Sequence, residues 1–282
     1  MLWEALQLEF VRNALLAGIL VSVVCGVIGT LVVVNRIVFL AGGIAHAAYG
    51  GIGLAYFMGW SYGVGTFGFS LLSAGLMAAV TLKEKHRADA MVGVIWALGM
   101  AVGIILLDLT PGYNVDLMSF LFGSILAVTG CDLWQMAATG VAVVVVVAYY
   151  YNDFLAMSYD EEFARLRNVP VTFLYCLLLG MIAISVVMTI RVVGLILVIA
   201  LLTIPPYIAE KFTGSLRAMM ALSSLLSGLF TLVGLWFSYL LNLTAGATII
   251  LVAAGGFLLT TLWLKFSHGR AVRLRSRTPP PR

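Results

Sequence analysis

Charged side chains are scarce here: Asp, Glu, Lys and Arg make up 10% of the 282 residues, where a soluble domain carries about a quarter. That shortage excludes a water-facing surface over most of the chain. With 62% hydrophobic residues and a mean hydropathy of +1.10, the sequence reads as an all-α polytopic membrane protein. Each span then needs roughly 20 apolar residues. Cysteine is also sparse. Cys25, Cys131 and Cys176 form no pair at metal-ligand or redox spacing, so a disulfide framework and a thiolate metal cluster are excluded and all three read as apolar packing residues. There is no Gly-Lys dipeptide, which excludes a Walker A loop, so any ATP is bound by another chain. Neither His-Glu-x-x-His nor Gly-x-Ser-x-Gly occurs, and the acids sit at span ends. The nucleophile-and-base constellation of a membrane enzyme is therefore missing, and no enzyme activity is expected. A basic leader is absent from the acidic first residues, so the first apolar run is expected to be retained rather than cleaved.

Nine apolar runs are present, near 13–34, 39–58, 64–82, 91–107, 132–151, 170–190, 192–204, 218–241 and 246–264. The run at 192–204 is short, so eight full spans with one broken element is as good a reading as nine. Arg36, the 83–87 loop, the 159–168 segment, the 210–217 segment and the tail carry the basic residues. The positive-inside rule places them in the cytoplasm, with the N-terminus outside and the C-terminus inside. Residues 1–264 form one transmembrane domain, and 265–282 reads as a disordered basic tail against anionic lipid rather than a nucleic-acid site. The 117–130 segment is too short to cross and reads as a helix dipping in from the outer face. Ser158 with Glu161 three residues later fits a capping box opening a short cytoplasmic helix.

Two stretches carry chemistry. In 39–53, His46 is the only group between Arg36 and Lys83 that titrates near neutral pH. Gly42, His46, Gly50 and Gly53 share one helical face, which lets another backbone or a small solute approach the ring. Lining a path and serving as a satisfied interior histidine are both open for such a residue. Asp108 and Asp116 fall at the outer mouth, where they would attract a dication or simply be solvated. Asp132 starts a span, whose dipole favours a capping carboxylate over a metal role. In the second stretch, an apolar helix runs into Pro205 and Pro206, which are expected to end or kink it. Tyr207, Glu210, Lys211 and Phe212 then belong to a short amphipathic helix closed by Gly214, either a docking knob for a motor subunit or a plain loop. Gly63-Val-Gly65-Thr-Phe-Gly68 matches a dinucleotide fingerprint, but it opens a span with no preceding strand.

Four segments together resemble the membrane permease subunits of zinc/manganese/iron ABC importers. They are Arg36-Ile-Val-Phe-Leu-Ala-Gly-Gly-Ile-Ala-His46-Ala-Ala-Tyr-Gly-Gly, Asp116-Leu-Met-Ser-Phe-Leu-Phe-Gly-Ser-Ile-Leu-Ala-Val, Val193-Gly-Leu-Ile-Leu-Val-Ile-Ala-Leu-Leu-Thr-Ile-Pro205 and Gly246-Ala-Thr-Ile-Ile-Leu-Val. The resemblance implies a fold similar to the cobalamin and haem (type II) importers, and a homodimeric core with metal passing along its axis. It also implies a cytoplasmic ABC ATPase dimer and an extracytoplasmic metal-binding protein as partners, with no cofactor of this chain's own. By the same resemblance, 205–217 looks like the coupling helix and His46 like a wall of the metal path. Where the family often has aspartate, this chain has Gly42 and Ser124. Losing a carboxylate beside an imidazole leans toward zinc, ahead of manganese or iron. The alternative is a stand-alone ion-coupled secondary transporter, which would want buried carboxylates at mid-membrane.

Overall fold

A computed structural model describes residues 9–83, 88–111, 123, 125 and 128–275. Eleven helices and no strand occur among these residues: α1 Glu9–Val34, α2 Val38–Met58, α3 Tyr62–Lys83, α4 Ala88–Asp108, α5 Gly130–Tyr149, α6 Tyr151–Tyr159, α7 Glu161–Leu166, α8 Val171–Val193, α9 Leu195–Glu210, α10 Leu216–Leu241 and α11 Ala245–Arg275. Eight of them are long and apolar enough to cross a membrane, and α9, at 16 residues, is shorter. At 1.5 Å per residue α9 covers about 24 Å, less than the ~30 Å hydrocarbon layer. Both expectations about span number are therefore visible in one structure: eight full-length helices and a ninth, abbreviated one.

The helices run alternately between two ends. At one, the Asn13 amide donates to the Val128 carbonyl at 3.3 Å, and Ser61, Tyr62, Asp132 and Val192 line a common cavity. At the other, the Asn35 amide donates to Ser158 Oγ at 2.9 Å, and the Arg217 guanidinium lies 4.5 Å above the Tyr151 ring. Burial grades from centre to rim: the apolar window of α2 is 72% buried and that of α1 67%, against 22% for α4 and α5 and 17% for α11. A helix apolar on all sides with few buried positions faces lipid or another chain, whereas α2 is enclosed by its own.

Local details depart from the sequence pattern in four places. Pro205 and Pro206 do not end α9, which continues to Glu210. A proline deprives a helix of an N–H donor, but both prolines are buried and the orphaned carbonyl of Leu202 lies against α1 at Gly29, where a Cβ would approach it to 2.6 Å. Neighbouring helices tolerate such a break at membrane depth. No separate helix spans 205–217: Tyr207 to Glu210 is the last turn of α9, residues 211–215 turn, and the Ser215 hydroxyl accepts from Ala218 N–H to cap α10. The expected Ser158–Glu161 capping box is replaced by Asp160, whose carboxylate accepts from Phe163 N–H at 2.9 Å, while Ser158 sits inside α6 and serves Asn35. Aspartate one residue before the helix is the stronger cap, and it also complements the positive N-terminal dipole. Finally, α11 runs on past the expected end of the last span to Arg275; residues 276–282 of the tail lie outside the described residues. Of the cysteines only Cys25 is a buried packing residue, Cys131 and Cys176 being exposed.

Candidate functional site

The centre of α2 packs backbone to backbone on both sides, and its glycines are the cause. A methyl group on Gly50 would come within 2.9 Å of the Gly99 carbonyl of α4, and one on Gly51 within 2.7 Å of the Gly65 carbonyl of α3. Gly53 lies against the backbone of Gly103. These are helix approaches that only a missing side chain permits. Gly42 is different: a Cβ there would meet only Ile199 Cδ1 of α9, at 4.0 Å. The four-residue stripe predicted from helical spacing therefore splits, with Gly50 and Gly53 sealed on α4 and Gly42 left open toward α9.

His46, half-buried, lies between those regimes. Its imidazole stacks on the indole of Trp96 in α4, with ring centroids 4.2 Å apart and planes inclined by 18°. The Trp96 Nε1–H donates to Met100 Sδ at 3.1 Å, one turn further along α4, and Phe39 tilts onto the other part of the indole at 5.9 Å. Aromatic pairs of this kind contribute about 0.5–1.5 kcal/mol beyond area burial. The His46 Nδ1 atom is buried and has no hydrogen-bond partner. A buried imidazole nitrogen without a partner costs about 1–3 kcal/mol, so the ring is not a satisfied interior histidine. Trp96 and Met100 did not emerge from the sequence; the available signal was an i, i+4 aromatic–thioether pair on the face that also carries Gly99 and Gly103.

The acidic candidates are not gathered around His46. Asp108 is exposed at the end of α4, and Asp116 lies outside the described residues. Asp132 closes a capping box on α5: Thr129 Oγ1–H donates to its Oδ2 at 2.6 Å, Thr129 N–H donates to the same oxygen at 3.1 Å, and the Asp132 N–H returns a bond to Thr129 Oγ1 at 3.3 Å. It also lines an open cavity of about 330 Å³ with Ser61, Tyr62, Gln135, Met136 and Met188. No group of three or more His, Cys, Asp and Glu side chains that would hold a metal exists among the described residues.

Three of the four sequence segments converge. Gly42 faces Ile199 across α2 and α9. Gly123, at φ 70°, sits against the α8–α9 junction, where a Cβ would fall on Val193 and Gly194 and come within 2.8 Å of the Val192 carbonyl. Gly194 itself has φ 80°, so both sides of this crossing use backbone conformations that side chains disfavour. At the far end of α9, Tyr207 packs on Phe257 of α11 at 5.5 Å, the Lys211 ammonium lies 4.7 Å from the Tyr207 ring, and Phe212 faces Trp263 at 5.9 Å. Glu210 pairs with Lys211 at 3.3 Å in an exposed position.

The model of the ABC 3 transport family matches residues 7–264. The chain belongs to that family. It is 49% identical over 257 residues to an uncharacterised membrane protein of Synechocystis sp., covering 91% of this chain and 92% of that one. It is 32% identical to the manganese transport system membrane protein MntC of Listeria monocytogenes, over 95% of this chain and 97% of that one. Among solved structures it is similar to PsaBC from Streptococcus pneumoniae in complex with Fab, with a TM-score of 0.83 and 30% identity over 92% of this chain and 95% of the other. An inward-facing metal-chelate type ABC transporter shares the fold, at a TM-score of 0.73 and 16% identity over 89% of this chain and 85% of the other. As an ABC 3 family member, the protein is a multi-pass permease subunit of an ABC transporter.

Proposed function

We propose that this permease carries a divalent transition metal inward, with ATP hydrolysed by separate chains. Two copies meet so that their α2 helices line a path at the dimer axis. One observation above the others supports this reading: on the most enclosed span, a half-buried imidazole keeps an unpartnered nitrogen next to the open position at Gly42. In a ligand-poor membrane interior an imidazole is the group able to exchange bonds with a passing cation, here through its Nε2, Nδ1 being the buried nitrogen left without a partner. Zinc is the cargo we favour, because imidazole suits zinc while the hard carboxylate oxygens that suit manganese are absent at position 42. The printed name of the Listeria relative favours manganese as the second reading. Asp108, Asp116 and Asp132 are assigned to the outer end, where carboxylates raise the local concentration of a dication delivered by a binding protein. The turn following Glu210, with the exposed Tyr207, Glu210, Lys211 and Phe212, is assigned to contact with the ATPase, and the buried Pro205 and Pro206 to holding that end of α9 in place. A stand-alone secondary transporter has less support, since among the described residues no carboxylate is recorded in contact with His46.

The test is ATPase activity of the complex reconstituted with its ATPase and binding protein, measured across zinc, manganese and iron(II). Zinc is expected to stimulate most. Stronger stimulation by manganese would overturn the choice of cargo, and no response to any of the three would overturn the transport reading.

A further inference from the structure

We propose that Trp96 is the positioning residue for His46, holding the imidazole in its metal-accepting orientation by stacking where a hydrogen bond would ordinarily do so. This rests on the reading of His46 as a metal-path residue. Metal-binding histidines almost always donate their second ring N–H to a carboxylate, carbonyl or water, and that bond fixes both tautomer and ring angle. His46 has no such bond, because Nδ1 is buried and unpartnered. The position one turn earlier, where a carboxylate would stand, is Gly42, and a Cβ there would have only Ile199 within 4.0 Å. What the ring does have is a nearly parallel indole at 4.2 Å and 18°. A face-to-face contact restricts rotation about χ2 of the histidine, the one torsion that swings its nitrogens.

The indole is itself held from three sides. Its N–H is committed to Met100 Sδ at 3.1 Å, and Phe39 flanks it at 5.9 Å. Beyond it, α4 is pinned to α2 by the Gly50–Gly99 and Gly53–Gly103 contacts, which leave no slack for the helices to slide apart. The ring is therefore clamped by an element whose distance from α2 is set by backbone contact, and a rigid supporting shell is what a binding group needs to stay within a fraction of an ångström of its working geometry.

The experiment compares Trp96→Ala, Trp96→Phe, His46→Ala and the double variant His46→Ala/Trp96→Ala in the full complex, reading zinc-stimulated ATPase as half-saturating zinc and maximal rate separately, with thermal unfolding of each variant alongside. Loss of an orienting partner weakens metal affinity by roughly 10–100-fold, so Trp96→Ala is expected to raise half-saturating zinc by at least tenfold while the maximal rate changes little. Trp96→Phe keeps a ring face and is expected to restore most of the affinity although it cannot donate to Met100. In the double variant, removing Trp96 is expected to add nothing to the loss of His46. The proposal is overturned if Trp96→Ala leaves half-saturating zinc unchanged, if the two Trp96 substitutions lower the maximal rate and stability alike, or if the two losses add. A His46→Ala variant that behaves as wild type would overturn the underlying reading together with this one, whereas a sensitive His46 with an indifferent Trp96 overturns only the clamp.

Discussion

At the residue scale, the informative contrast lies between two glycines about one turn to either side of the same histidine. Gly50 is sealed, with the Gly99 carbonyl 2.9 Å from where its Cβ would stand, and Gly42 is open, with only Ile199 Cδ1 at 4.0 Å. Glycine spacing alone could not separate the two, because it reports which positions share a face and not which neighbour each meets. The histidine was legible because one group titrating near neutral pH stands out in the 46 residues between Arg36 and Lys83; its partner Trp96 was not, since a tryptophan in a span is ordinarily lipid-facing or packing. The open side makes a direct test possible. Gly42→Asp is sterically accepted, 4.0 Å being an ordinary contact, and it places a carboxylate four residues before His46 on the same face. Carboxylate oxygen suits manganese, so the ratio of manganese- to zinc-stimulated ATPase is expected to rise on the order of tenfold, which corresponds to about 1.4 kcal/mol of differential binding. An unchanged ratio would show that position 42 does not face the cargo.

At the scale of elements, the helices themselves were readable from apolar run length, and their interruptions were read less well. A double proline looks like a stop when donors are counted along one strand of backbone. It is not a stop when the freed carbonyl at Leu202 lies against Gly29 of α1, because that contact belongs to a residue far away in sequence. The Asp132 cap was legible for the opposite reason: Thr129 and Asp132 lie three residues apart and need nothing else. The same reasoning predicts which spans resist change. Gly53→Ala drives a methyl into the backbone of Gly103, and overpacking of this sort costs about 1–3 kcal/mol, more where the obstacle is main chain rather than a movable side chain. Gly68 in α3 has nothing within 4 Å, so Gly68→Ala gains helix propensity of up to about 1 kcal/mol at no steric cost. In detergent-solubilised protein, Gly53→Ala is expected to lower the unfolding temperature and Gly68→Ala to leave it level or raise it. Equal behaviour of the pair would contradict the close α2–α4 approach.

The whole molecule raises a question of parity. Termini on opposite sides of a membrane, the topology proposed from charge, would require an odd number of crossings; on that proposal α9, though only 16 residues long, completes the ninth beside the eight long helices. It does so between two distinctive ends: the Gly123–Gly194 crossing at one and the aromatic contacts of Tyr207 and Phe212 with α11 at the other. If this turn is the ATPase contact, as proposed, a push on it would reach α10 through the chain, α11 through the rings, and the far end through α9 itself. We propose the sides from charge: Arg36, Lys83, Arg165, Arg167, Lys211 and Arg217 gather at the end that carries this turn, which the positive-inside rule would place in the cytoplasm. Single cysteines introduced in a background lacking Cys25, Cys131 and Cys176 test side and contact together. Ser61→Cys, exposed at the opposite end, is expected to react with a membrane-impermeant maleimide in intact cells. Gly214→Cys, where an added Cβ meets nothing within 4 Å, is expected to react only after permeabilisation, and to be shielded when the ATPase is bound. Labelling of Gly214→Cys in intact cells would invert the topology. Correct sidedness without shielding would keep the topology and remove the turn from the ATPase contact, leaving the force on α9 to enter elsewhere.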